Sequence, residues 1–197
     1  MKGGDVLRNE TDQQSQSDRI LIAAFDIISS KGYANVSTRD IADKAGVVLS
    51  QLNYYFTNKE GLFKEVVRMM ISKYLIEIEI SLTEEESPKK RIESLVHYFR
   101  KMLKFNPGLF RLLYEFTSLA LWSPVFGELL NELFEDLSNL IEKHITSNLQ
   151  IKELKGCSTK TLSRLILGAM FGTGIQVLLN HDEELPDSLN AVQVLFD

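Results

Sequence analysis

Residues 37–60 read Ser-Thr-Arg-Asp-Ile-Ala-Asp-Lys-Ala-Gly-Val-Val-Leu-Ser-Gln-Leu-Asn-Tyr-Tyr-Phe-Thr-Asn-Lys-Glu. The stretch divides into two short helices joined by a tight turn, with a third helix starting just beyond. Ser37 stands directly before Thr38-Arg39-Asp40, where its hydroxyl can cap the free amides of the first turn. Asp40 can reach back as a weaker form of the capping box. Ile41, Ala42 and Ala45 supply a small apolar face, and Gly46 follows where a left-handed residue closes a helix at no steric cost. Val47 is expected to bury in the turn. From Val48 to Phe56, Leu52, Tyr55 and Phe56 fall at three- and four-residue spacing. That leaves Leu49, Ser50, Gln51, Asn53 and Tyr54 mainly on other faces. Asn58 can cap the next helix, whereas Val48 has no hydroxyl with which to cap the second.

Two helices in this order, the second carrying polar and aromatic groups on its open side, form a helix-turn-helix whose second helix suits a major groove. Gln51 and Asn53 carry amides that can both donate to and accept from adenine there. Lys59 occupies the first turn of the following helix, where the helix dipole disfavours a cation. A DNA phosphate would attract both the helix end and the ammonium, and so predicts a backbone contact.

Outward from this unit, the chain reads as all-α, with no strand of useful length and no internal repeat. Residues 1–16 are polar and expected to be flexible, and residues 17–64 form the reading head. Residues 65–197 form a second, helical domain. The first helix is predicted to start near Ser17 or Asp18, with Leu21, Ala24, Phe25 and Ile28 as its apolar stripe and Gly32 as its stop. The fourth runs from Lys59 to about Leu82. Further helices are predicted from Pro88 to about Phe105, from the Asn106-Pro107-Gly108 turn to near Trp122, from Val125 to about Asn148 and from Thr159 to Asn180. Lys155-Gly156-Cys157-Ser158 reads as a loop, and Pro186 interrupts the segment after the last helix.

The net charge is −5, and its distribution matters more than its sum. Residues 1–64 hold 8 basic and 8 acidic side chains, the remainder 14 and 19, so the acidity belongs to the C-terminal part. A neutral head can bind phosphate locally, with modest long-range attraction. No apolar run reaches the length of a membrane span, and the polar terminus is not a signal peptide. One cysteine, Cys157, fits a reducing cytoplasm. His97, His144 and His181 are far apart, in no metal-ligand spacing. No strand precedes the glycines from Gly168 to Gly174, which read as close packing rather than a phosphate loop. No catalytic residue, metal or cofactor is expected. An enzyme and a helical adaptor with a vestigial reading head are the alternatives.

The last long helix carries Leu162, Leu165, Ile166, Leu167, Met170, Phe171, Ile175, Val177, Leu178 and Leu179 around its whole circumference. It must therefore be covered on every face, either inside one chain or between its own core and a second copy. Gly168, Gly172 and Gly174 each cost roughly 1 kcal/mol there, which close helix contact would offset. Residues 92–122 concentrate bulky side chains, including His97, Tyr98, Phe99, Met102, Phe105, Phe110, Tyr114, Phe116 and Trp122.

These residues resemble the tetracycline-repressor (TetR) family of bacterial transcription regulators. The resemblance covers roughly residues 17–64. It rests on a helix at about 18–31, Gly32-Tyr33 with Val36-Ser37-Thr38, Ile41-Ala42-Ala45-Gly46-Val47, Leu52 with Tyr55-Phe56, and Asn58-Lys59-Glu60 with Leu62-Phe63. Val48 departs from the family's usual Ser or Thr, and Asn53 from its usual Tyr. The resemblance implies a homodimeric, cytoplasmic repressor that binds an inverted-repeat DNA operator and is released by a small, largely apolar effector. It implies that Lys59, Thr38 and Tyr54 or Tyr55 touch the operator backbone. With Arg39, Leu49, Ser50, Gln51 and Asn53 these make the DNA-binding set. The resemblance also implies a four-helix dimer interface from the last two long helices, through Leu133, Leu137, Ile141, Leu165, Gly168, Gly172 and Ile175. An effector cavity would be lined by His97, Phe99, Met102, Phe110, Tyr114 and Trp122, with His97, Tyr114 and Trp122 as polar handles.

Overall fold

The computed structural model describes residues 4–148, 157–180 and 187–190. Among these the chain is helical throughout: α1 Gly4–Lys31, α2 Thr38–Ala45, α3 Leu49–Tyr55, α4 Lys59–Thr83, α5 Pro88–Phe105, α6 Pro107–Ala120, α7 Pro124–His144 and α8 Thr159–Asn180, with a 3-10 turn at Thr146–Asn148. The all-α expectation holds. Met1–Gly3, the loop residues Lys155 and Gly156, His181 and Pro186 lie outside the described residues. Two compact units divide at Met70, so α4 contributes its first half to unit 1 and its second half to unit 2.

In unit 1, α1 buries Ile20, Ala23, Ala24, Ile27 and Ile28. The stripe is turned by one position from the expected one, and Leu21 and Phe25 are only half-buried. The helix also starts at Gly4, well before Ser17. The intervening Glu, Gln, Arg and Asp residues are adequate helix formers without a proline, and a polar helical end carries no apolar period by which to recognise it. α2 packs on α1, and Val36, Ile41, Ala42, Ala45, Leu52, Phe56, Leu62, Phe63, Val66 and Val67 are buried in the same unit.

Unit 2 is centred on Leu82, Ile92, Leu95, Val96, Ile141, Ile145, Leu162, Ile166 and Met170. Ser87 caps α5 by accepting from the Lys90 amide at 3.3 Å, with Pro88 at the first helical position as the sequence predicts. Asn106 ends α5 and also precedes α6, which begins at Pro107. The expected turn is therefore a single residue. Its Nδ2 donates to the Tyr74 hydroxyl at 3.1 Å. α7 stops at His144 rather than Asn148 and tightens into the 3-10 turn. There the buried Thr146 hydroxyl lies 3.0 Å from Ser163 Oγ.

α8 corrects one expectation and sharpens another. By length and composition it is apolar enough to cross a membrane, with a mean hydropathy of 1.6, although only 28% of its most apolar stretch is buried. Its polar residues are confined to the ends and to small side chains, which a search for uninterrupted apolar runs passes over. Nor is it covered on every face. Leu162, Ser163, Ile166, Met170 and Gly174 are buried, while Leu165, Ile175 and Leu179 stand 61%, 41% and 72% exposed. Among the described residues, one chain thus leaves part of the α8 circumference open.

Candidate nucleic-acid interface

The reading head is assembled by local hydrogen bonds that the sequence specifies. Ser37 Oγ accepts from the Asp40 amide at 3.1 Å, and Asp40 Oδ2 accepts from the Ser37 amide at 2.8 Å, which completes the capping box. The Ser37 hydroxyl also donates to Asp40 Oδ2 at 2.5 Å, and this bond first, then that from the Ser37 amide, holds the Asp40 carboxyl below its ordinary range. Gly46 takes φ +66°, the left-handed conformation expected of it, and its amide turns back onto Ala42 and Asp43. Arg19 of α1 donates to the carbonyl oxygen of Ala45 at 2.9 Å, so a cation satisfies the C-terminal end of α2. Asn58 Oδ1 accepts from the Gly61 amide at 2.7 Å and caps α4.

α3 is seven residues long and has no side-chain cap at Val48, as its sequence implies. So short a helix is not stable alone. Leu52, fully buried, and Phe56, 7% exposed, fix it to the unit 1 core. Their burial sets the outward face. Ser50, Asn53 and Tyr54 are exposed, Tyr54 at 73%, and Leu49, Gln51 and Tyr55 are half-buried. Tyr54 meets Tyr55 edge to face, with ring centroids 5.2 Å apart. Val48, 66% exposed, stands at the start of the same helix. Thr38 and Arg39 lie on the first turn of α2, half-buried and exposed respectively.

Three members of the expected DNA-binding set already have partners inside the chain. Gln51 Nε2 donates to Gln16 Oε1 at 2.9 Å, and the Tyr55 hydroxyl donates to the same oxygen at 3.2 Å. Lys59 Nζ donates to the carbonyl oxygen of Tyr33 at 2.5 Å and lies over the Tyr33 ring. The Lys59 ammonium therefore has a reason to be where it is apart from phosphate. Gln16 and Arg19 escaped the sequence reading. Their partners lie 35 and 26 positions away, and nothing local marks them.

The expected effector residues divide. Phe99 and Phe110 stack edge to face at 5.0 Å, and Tyr114 packs on Phe171 at 4.6 Å. The Tyr114 hydroxyl donates to the carbonyl oxygen of Phe171 at 2.5 Å, and burial pushes that phenol well above its usual range. A Cβ on Gly174 would stand 2.5 Å from this hydroxyl and 3.2 Å from the Phe99 ring. Gly174 is thus a true close approach. Met102 is half-buried, but His97 is exposed and Trp122 is 88% exposed just beyond α6. His97 is thus on the outer face of α5, and Trp122 follows a helix that ends at Ala120, two residues earlier than expected. The open groove of ≈ 1160 Å³ in unit 2 is lined instead by acidic residues of α7, among them Glu128, Glu132, Glu135 and Asp136, with Phe134, Phe171 and Arg164.

The expected interface residues divide too. Leu133 and Ile141 are buried in the chain's own core at 8% and 2% exposure, which removes them from any free surface, and Leu137 is half-buried. Leu165 and Ile175 are exposed on α8. Among the described residues outside their own stretch of helix, neither Gly168 nor Gly172 has an atom within 4 Å of where a Cβ would stand, so no close packing there explains them, as it does Gly174.

Comparison with known proteins agrees with this geometry. Residues 20–66 match the family model described as "Bacterial regulatory proteins, tetR family". The chain is 25% identical over 177 residues, 86% of each protein, to the HTH-type transcriptional regulator BetI of Pectobacterium carotovorum subsp. carotovorum. Its fold matches a TetR transcription regulator from Haloarcula marismortui with a TM-score of 0.80 at 18% identity, covering 92% of this chain and 96% of the other. It also matches the transcriptional regulator FadR from Bacillus subtilis, solved with stearoyl-CoA, with a TM-score of 0.73 at 22% identity, covering 90% and 95%. The capped helix-turn-helix and the exposed face of α3 lie within the stretch that the tetR family model matches, and the whole chain shares its fold with TetR transcription regulators.

Proposed function

We propose that the chain is a cytoplasmic, homodimeric repressor that binds an inverted-repeat operator through α3 and is released by a small, largely apolar effector. One observation carries the reading: a chain with an outward reading face on α3 also bears an uncovered apolar stripe on α8. Leu165, Gly168, Gly172, Ile175 and Leu179 recur at alternating spacings of three and four, which is one face of a helix. Exposed apolar area of this kind is removed from water by a second copy, at roughly 25 cal/mol per Å². A two-fold pair then presents two reading heads to successive major grooves, about 34–36 Å apart or a multiple of it.

On this reading residues 17–64 are the reading head and residues 65–197 sense and pair. Thr38, Tyr54 and Lys59 meet phosphates, while Gln51 and Asn53 read bases. The aromatic cluster of Phe99, Phe110, Tyr114 and Phe171 supports an effector site of apolar chemistry. FadR, a relative in fold, was solved with stearoyl-CoA. Effector binding shifts the population toward a state whose two heads no longer match the operator spacing. Selection of bound sequences from random DNA, with sedimentation of the free protein, tests the reading. A two-fold symmetric site and a dimer at micromolar concentration are expected. Asymmetric sites, or a monomer, overturn it.

A further inference from the structure

Gln16 belongs to none of the sites described so far. It sits on α1, yet its single side-chain oxygen takes hydrogen bonds from two residues of α3: Gln51 Nε2 at 2.9 Å and the Tyr55 hydroxyl at 3.2 Å. An amide oxygen has two lone pairs, and here both are occupied. In this arrangement Gln51 turns its nitrogen toward α1. An unrestrained glutamine amide rotates end over end at little cost and can offer either an acceptor or a donor to the same base edge. One held by its nitrogen cannot. Both bonds are partly shielded from water, which makes them costly to leave unmade.

We propose that Gln16 is a specificity-positioning residue. It fixes the Gln51 amide so that the carbonyl oxygen and the remaining N–H face the major groove as an ordered pair, the arrangement that matches adenine N6 and N7. The inference rests on the proposed role of α3 in reading DNA. Gln16 itself touches no base. A guanine presents two acceptors at the same place and a cytosine one donor, so the fixed amide meets either with at least one unmatched group. α1 thereby takes part in reading sequence without entering the groove.

Sequence selection by the full-length protein and its variants tests this. Gln16→Met keeps the length of the side chain and removes the acceptor. It is expected to flatten the preference at the one position per half-site read by Gln51 by about tenfold. Affinity for random DNA and its salt dependence should not change. Gln16→Glu keeps an acceptor and is expected to retain the base preference, with uniformly weaker binding from the added negative charge. In a Gln51→Ala background, Gln16→Met should have no further effect on preference. The proposal is overturned if Gln16→Met leaves the preference intact, if Gln16→Glu flattens it equally, or if the effect of Gln16→Met persists without Gln51. Failure of the unaltered protein to select any sequence would instead overturn the role of α3. Helix content and melting temperature, measured alongside, separate either result from a loss of fold.

Discussion

Lys59 Nζ lies 4.1 Å from the centre of the Tyr33 ring and donates to the carbonyl oxygen of the same residue at 2.5 Å. Tyr33 in turn rests on Phe63 of α4, with ring centroids 4.5 Å apart. The segment between α1 and α2 is thus pinned to the first turn of α4 by a cation and a ring stack. An ammonium has three donors, of which the Tyr33 carbonyl takes one.

Lys59→Ala is therefore expected to have two separable effects. Loss of the cation–ring contact and the carbonyl bond should lower stability by roughly 1–3 kcal/mol, read by denaturant unfolding. Loss of a phosphate contact should weaken binding to every DNA sequence alike and reduce the salt-dependence slope by about one unit per half-site. A destabilised variant with an unchanged slope would confine Lys59 to its structural role.

Asn53 is exposed on the outward face of α3. Asn53→Ala should leave the melting temperature where it is and relax base preference at a defined operator position, at a cost of about 1–3 kcal/mol. Unaltered selected sequences would remove Asn53 from the base-reading set.

The glycines of α8 make opposite predictions. Gly174→Ala places a methyl 2.5 Å from the Tyr114 hydroxyl, and overpacking of that kind costs about 1–3 kcal/mol. Gly172→Leu meets no atom of its own chain within 4 Å of the new Cβ. It should preserve helix content and shift the sedimentation coefficient toward monomer, with DNA affinity falling because two heads no longer act together. Retention of dimer and affinity would show that Gly172 faces no second copy.

Glu135 of α7 accepts hydrogen bonds from Lys160 and Arg164 of α8, the latter at 3.0 Å, and both lower its carboxyl below the ordinary 4.5. A depressed carboxyl stabilises the folded state fully above its ordinary value, and that contribution is lost as pH falls through the lower, folded one. The stability difference between the unaltered protein and Glu135→Gln should accordingly be constant at neutral pH and shrink below about pH 4.5. A difference independent of pH would mean the three side chains are not coupled as ions.

Local chemistry was the legible part of this sequence. Ser37 with Asp40, Gly46, Asn58, and Ser87 with Pro88 each act within four residues of themselves, so the helix ends and the turn between α2 and α3 follow from spacing alone. Contacts that depend on a partner far along the chain were not legible. The contact of Lys59 with Tyr33, 26 residues away, had no local sign. Gly168, Gly172 and Gly174 look alike in sequence, yet Gly174 alone meets neighbouring side chains. The stop of α6 at Ala120, which leaves Trp122 88% exposed, carries no signal in the sequence. Periodicity also misled in both directions: it gave no sign of the polar start of α1, and it spread the apolar surface of α8 over a circumference that one chain only half covers.

Asn106 joins α5 to α6 as the only residue between Phe105 and Pro107, and its side chain is fastened to Tyr74 of α4. A longer connection would absorb movement; this one has no slack. One residue of unit 2 thus ties three helices together: α5 and α6 through the backbone, and the second half of α4 through the Tyr74 hydroxyl.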